Sequence, residues 1–211
     1  MSQVQHRHFL PAAGHDLFLP LYDPLTRLLG ADAARAQLIA QASLRPGQRV
    51  LEIGCGTGSL VVRLTRDNPE VEVAGLDPDP RALARARRKA ERAGVSIRFE
   101  QGYADELPFE AGSFDAVFSS LMLHHLEEPQ QAAALAEVRR VLRPGGALHL
   151  LDFAGAERPR GFLARLLHSD HQVAHGTTVL DRLRAAGFAE AAETGERSTF
   201  FGPVAFHRAV A

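Results

Sequence analysis

From Gln48 onward, short apolar runs alternate with longer segments whose apolar positions recur at helical spacing. "QRVLEI" predicts a buried strand, and "TGSLVVRLTRDN" a helix behind it. "EVEVAGLD" then reads as strand, and "PRALARARRKAERAG" as a helix closed by Gly94. "VSIRFEQG", "FDAVFSSLM" and "GALHLLDF" are the third, fourth and fifth strands. The helix "PQQAAALAEVRRVL" separates the last two and breaks at Arg143-Pro144-Gly145-Gly146. Strands alternating with helices imply βαβ units, a parallel sheet and right-handed crossovers.

Beyond Phe153 the rhythm loosens. Residues 154–178 read as irregular, with a short helix around Phe162–His168. "TVLDRLRAAGF" follows as a helix, and "EAAETGERSTF" and "VAFHRAV" predict an antiparallel hairpin turning at Gly202-Pro203. Ahead of Gln48, "LFLPLYDPLTRLLG" and "ADAARAQLIAQASL" are helical. Repeats and low-complexity tracts are absent from the sequence.

Composition narrows the class. With 45% hydrophobic and 23% charged residues, the 211-residue chain reads as one ordinary globular unit. A formal net charge of -1 gives no general drive towards nucleic acid or acidic lipid. Cys55 stands alone, so a disulfide framework and cysteine-ligated metal sites are not expected. No apolar stretch approaches the roughly 18–20 residues of a bilayer span, and "MSQVQHRHFLPAAGHD" lacks a secretory layout. A cytoplasmic protein is expected.

Candidate chemistry concentrates in "VLEIGCGTGSL". A glycine-rich turn between strand and helix lets a ligand approach the backbone and meet helix N-terminal N–H groups. Dinucleotide enzymes use G-x-G-x-x-G there. Here Gly54, Gly56 and Gly58 give G-x-G-x-G, Ser59 stands at the third dinucleotide position, and Glu52 precedes the first glycine by two residues. That spacing argues against a nicotinamide or nucleotide-sugar enzyme.

"LEIGCGTG" resembles the first motif of class I S-adenosylmethionine-dependent methyltransferases. "GLDPD", "GYADELPF", "FDAVFSSLMLHHL" and "EVRRVLRPGGALHLLD" resemble its companion motifs in the family's order. The resemblance covers about residues 15–211, with the specific motifs between 50 and 152. It implies an α/β, Rossmann-like, doubly wound seven-stranded sheet, mostly parallel with an antiparallel C-terminal strand. It also implies an N-terminal helical lid segment over 1–47 and a cofactor-binding domain over 48–211.

The same resemblance implies the site. S-adenosyl-L-methionine would lie with its methionine part over Gly54, Gly56 and Gly58, its carboxylate facing the following helix N-terminus. Glu52 would hold the turn's backbone or reach the amino group. Asp77, followed by Pro78, would take the ribose hydroxyls, unless it caps the next helix. Asp105 would accept from the adenine amine and Ala104 offer its backbone N–H. Ser119 would lie beside the methionine part through its backbone. "LYDPLTRLLG" is similar to the segment before the core in ubiquinone and menaquinone methyltransferases, which places Tyr22 over the site.

His124 and His125 are candidates for a general base or for lining the acceptor pocket. The acceptor would be a small molecule, methylated at oxygen, nitrogen or carbon by direct displacement without a metal, leaving S-adenosyl-L-homocysteine. The rival from another class is a non-catalytic cofactor-binding sensor or partner subunit. Monomer and homodimer stay open. "RALARARRK" is a solvated basic helix face, not a nucleic-acid patch. His168, His171 and His175 share one face if helical, where a metal is the lesser reading.

Overall fold

The computed structural model describes residues 31–154, 178–199 and 202–211. Tyr22, the expected helix at 162–168, and His168, His171 and His175 lie outside the described residues. The elements run α1 (Ala31–Ala42), β1 (Arg49–Ile53), α2 (Ser59–Asp67), β2 (Glu72–Asp77), α3 (Pro80–Ala93), β3 (Arg98–Gln101) and β4 (Phe114–Ser120). A 3₁₀ turn (Leu123–His125), α4 (Glu128–Val141), β5 (Leu142–Phe153), α5 (Val179–Ala185), β6 (Glu190–Thr199) and β7 (Gly202–Val210) complete the described chain.

The strands form one seven-stranded sheet in the order β3-β2-β1-β4-β5-β7-β6. β1 through β5 pair in parallel, and β7 runs antiparallel to both β5 and β6. Strands buried on both faces read as continuous apolar runs, which is why β1 is buried from Val50 to Ile53. One face packs Leu51, Val117 and Leu150 against Leu135 and Val138 of α4 and Leu183 of α5. The other packs Val50, Phe118 and Phe206 against Leu38 of α1, Leu60 of α2 and Leu83 of α3. α1, within the segment expected as a lid, therefore contributes core: Ala34 and Leu38 are fully buried.

Helix ends follow local chemistry. Asp79 accepts the N–H of Arg81 at 2.8 Å ahead of Pro80, and Gly94 in the left-handed region (φ 67°) ends α3. Thr178 and Asp181 cap α5 reciprocally, each side chain accepting the other's N–H at 3.2 Å.

Two expected breaks move. α4 ends at Val141, and Arg143-Pro144-Gly145-Gly146 does not precede the fifth strand. β5 starts at Leu142 and carries these residues within it, with a register shift where Phe114 and Ala116 of β4 meet it. A Cβ at Gly146 would lie 2.9 Å from the carbonyl oxygen of Arg143 and 3.0 Å from that of Asp115, so the backbones meet too closely for a side chain. Gly202 and Pro203 are not the hairpin turn. They pair with Thr199 and Ser198 and open β7, where a proline near a strand's start is tolerated.

Strand order reverses about β1, which has β2 on one side and β4 on the other. In open α/β sheets that switch point leaves a crevice beyond the carboxyl ends of the strands. Among the described residues, no helix is long and apolar enough to cross a membrane.

Candidate functional site

The crevice is a cleft of about 640 Å³ beyond β1, β2 and β4, within the size range of small-molecule sites. Its walls come from the glycine turn after β1, Asp77–Asp79 after β2, Tyr103–Asp105, Ser120–Met122 after β4, and Arg35 of α1.

The three glycines do different work. All have positive φ, but the space beside each differs. A Cβ at Gly56 would meet nothing within 4 Å, so this position opens onto the cleft. A Cβ at Gly58 would lie 2.9 Å from the Cβ of Ala86, so Gly58 admits close packing of α2 and α3. A Cβ at Gly54 would collide with the side chain of Met122.

Asp77 ends β2 and buttresses the turn. One carboxylate oxygen accepts the N–H of Gly56 at 2.7 Å, and the other accepts that of Asp79 at 3.0 Å. Burial pushes its carboxyl above the usual carboxylate range. Asp79, not Asp77, caps α3. Pro78 lies between them on the cleft wall.

Glu52 is 3% exposed on β1 and accepts the N–H of Val61, within the first turn of α2, at 3.1 Å. α2 has no side-chain cap, so this bond satisfies one of its open N–H groups. Burial raises the Glu52 carboxyl to about 8, against the opposing pull of Arg35. Arg35, 7% exposed and on the cleft wall, is a buried cation that the sequence reading did not single out. A single arginine on an Ala-rich helix gives no pattern to find it by. Lys89 donates to the hydroxyls of Ser59 at 2.9 Å and Thr57 at 3.2 Å, tying α3 to the glycine turn.

Ala104 and Asp105 lie on the cleft wall. The Ser119 side chain is 1% exposed inside β4, and Ser120 and Leu121, which follow it, stand on the wall. Leu121 has φ 56°, unusual for a leucine, as β4 bends into the cleft wall. Cys55 is buried, and burial raises its thiol, so it stays protonated.

The two adjacent histidines separate. His125 lines the cleft. Nδ1 of His124 lies 2.6 Å from an oxygen of Asp152 on β5, and the other oxygen accepts the backbone N–H of His124 at 3.1 Å. Although burial opposes it, His124 holds the Asp152 carboxyl below the usual range. Asp152 was legible only as the last acid of a strand; its partner lies 28 residues away.

Residues 50–146 match the family described as methyltransferase domain. The demethylmenaquinone methyltransferase of Deinococcus radiodurans is 42% identical over 137 residues, 64% of this chain and 56% of that protein. The 27-O-demethylrifamycin SV methyltransferase of Amycolatopsis mediterranei is 38% identical over 130 residues, 61% of this chain and 47% of that protein. The chain thus spans about half the length of these curated relatives. The crystal structure of a SAM dependent methyltransferase from Aquifex aeolicus has a TM-score of 0.64 at 20% identity, covering 84% of this chain and 89% of that one; it shows a common fold.

Proposed function

We propose, from the match of residues 50–146 to the methyltransferase domain family, that the chain moves a methyl group from S-adenosyl-L-methionine to a small acceptor. The carrying observation is that the open glycine, Gly56, is hydrogen-bonded to Asp77 within a cleft that also holds Glu52 and Asp105. This donor set suits the cofactor. Gly56 leaves room for a ligand against backbone, and carboxylates suit an ammonium group and a pair of hydroxyls.

Gly54, Gly56 and the α2 N-terminus would hold the methionine part, with Gly58 setting the helix that presents those N–H groups. Arg35 supplies a buried cation for its carboxylate and Glu52 an anion for its amino group. Asp77 and Pro78 would hold the ribose, and Ala104 and Asp105 the adenine. When bound, the cofactor supplies a methyl group on a positively charged sulfur, already a good leaving group. The protein's task is to orient the acceptor, which contributes several kcal/mol.

Leu121, Met122 and Leu126 put apolar side chains on the wall beyond β4, among Ser120, His125, Glu127 and Gln130. With two curated relatives named for a demethylmenaquinone and a demethylrifamycin, this supports a small, partly apolar acceptor. The test is incubation of the purified protein with methyl-labelled S-adenosyl-L-methionine and a panel of hydroquinones, phenols and amines. Labelled product with matching S-adenosyl-L-homocysteine is expected. Cofactor binding without product from any acceptor contradicts catalysis and favours a binding module.

A further inference from the structure

Met122 reaches from the end of β4 onto the glycine turn after β1. It is half-buried on the cleft wall and packs, with Leu126, against the core beneath. A Cβ added to Gly54 would lie 2.3 Å from Cγ, 2.9 Å from Cβ and 3.5 Å from Sδ of Met122. Those three atoms are the nearest to that space, so the room a side chain at position 54 would need is already filled by Met122. Leu121 and Leu126 share the wall but do not stand that close to the turn.

The backbone holds the stem of Met122 in place. The N–H of Leu121 donates to the carbonyl oxygen of Leu151 on β5 at 2.8 Å, and the carbonyl oxygen of Met122 accepts the N–H of His125 at 2.9 Å. Between β4 and the 3₁₀ turn, Leu121 sits in the left-handed region at φ 56°, and that bend brings Met122 onto Gly54. Strain of this kind persists where surrounding contacts over-determine it, and it clusters at ligand-binding positions. Beyond the held stem, the thioether end is unbranched and polarisable, and adapts to what lies beside it.

The rest of the cleft says which part of a donor comes to Met122. The sulfur of S-adenosyl-L-methionine carries three carbons: one leads to the amino acid, one to the ribose, and the third is the methyl group. Glu52 and Arg35 suit the amino-acid end and Asp77 the ribose, while Gly56, between them in the cleft, is hydrogen-bonded to Asp77 at 2.7 Å. A sulfur joining those two ends lies against the Gly54–Gly56 turn. Its third substituent points away from that backbone, across the cleft towards β4, where the Met122 side chain meets the turn.

We propose that Met122 is a specificity-determining residue: its side chain walls the space around the donor's sulfur and sizes it for a methyl group, excluding longer alkyl groups. This deepens the methyltransferase reading and rests on it. With Cβ and Cγ of Met122 held on Gly54, the wall cannot retreat without moving the backbone behind it. One methylene too many in an apolar pocket is worth roughly 10–200-fold in discrimination. Alanine at this position removes Cγ, Sδ and Cε and opens the space beside Gly54, whereas leucine keeps comparable bulk.

The sequence has two methionines, Met1 and Met122, so methyl-carbon-13 methionine labelling gives Met122 a signal identified by its loss in Met122→Leu. With S-adenosyl-L-methionine bound, a nuclear Overhauser effect is expected between the Met122 methyl and the donor's S-methyl group. In calorimetric titration, the wild type should bind S-adenosyl-L-ethionine at least about tenfold more weakly than S-adenosyl-L-methionine. Met122→Ala should narrow that gap to about twofold, and Met122→Leu should keep it.

An Overhauser effect from Met122 to adenine protons alone, or to no part of the bound donor, overturns the proposal whether or not Met122→Ala folds. So does equal affinity of the wild type for the two donors, or a gap that Met122→Ala leaves intact. If the folded wild type binds neither S-adenosyl-L-methionine nor S-adenosyl-L-homocysteine, it is the underlying methyltransferase reading that falls.

Discussion

Glu52 and Asp77 share one cleft, and both carboxyls are pushed up by burial. For Glu52 the sign is definite. Its folded value of about 8 exceeds its ordinary 4.5, so the unfolded chain ionises first as pH rises. The contribution to stability is full below pH 4.5 and is lost progressively towards pH 8. Chemical denaturation of the ligand-free protein should therefore show the Glu52 contribution declining from pH 4.5 towards about 8, and Glu52→Gln should remove that decline. A cationic amino group beside Glu52 would favour its ionised form, so cofactor binding near neutral pH should release a proton. Titration calorimetry in buffers of different ionisation enthalpy should show this as buffer-dependent heat, reduced in Glu52→Gln.

At this scale, what a motif could carry was legible: Glu52, Asp77 and Asp105 all stand on the cleft wall. Arg35 and Asp152 were not, because their significance lies in contacts between distant segments.

Elements were legible wherever periodicity was strong and ends were capped. α3 runs from Pro80 to the residue before Gly94, as its proline, its capping aspartate and its glycine predict. Asp79→Ala should cost about 1 kcal/mol in equilibrium unfolding, the usual worth of such a cap. The elements that moved did so through pairing that local sequence does not encode. The Arg143–Gly146 break and the Gly202-Pro203 pair were both drawn into strands by partners across the sheet. The glycine turn offers a sharper test. Gly58→Ala meets Ala86 at positive φ and should destabilise by about 1–3 kcal/mol. Gly56→Ala meets no neighbour, so it should carry the backbone strain alone and lose more in cofactor affinity than in packing. Paired denaturation and binding measurements on the two variants check the contrast.

The whole molecule places its chemistry at the strand-order reversal between β2, β1 and β4, with the second polar centre, His124–Asp152, where β4 and β5 end. The alternation of strand and helix made the parallel sheet readable. The order itself rests on crossovers and on the antiparallel insertion of β7, for which the sequence offered only two strand-like runs. Burial also sets the molecule's response to acid. His149, stacked on Phe118, is held near 4 against an ordinary 6.5 by burial first and then by Arg208. The unfolded chain binds that proton first, so stability is lost as pH falls from 6.5 towards 4. His149→Leu should flatten the acid limb in the same denaturation series.

The most direct measurement is calorimetric titration of S-adenosyl-L-homocysteine into the wild type and into Asp77→Ala. The account predicts saturable one-to-one binding by the wild type, weakened at least about tenfold in the variant, a loss of about 1.4 kcal/mol or more. Equal affinity in the two proteins, or no binding by a folded wild type, would contradict it.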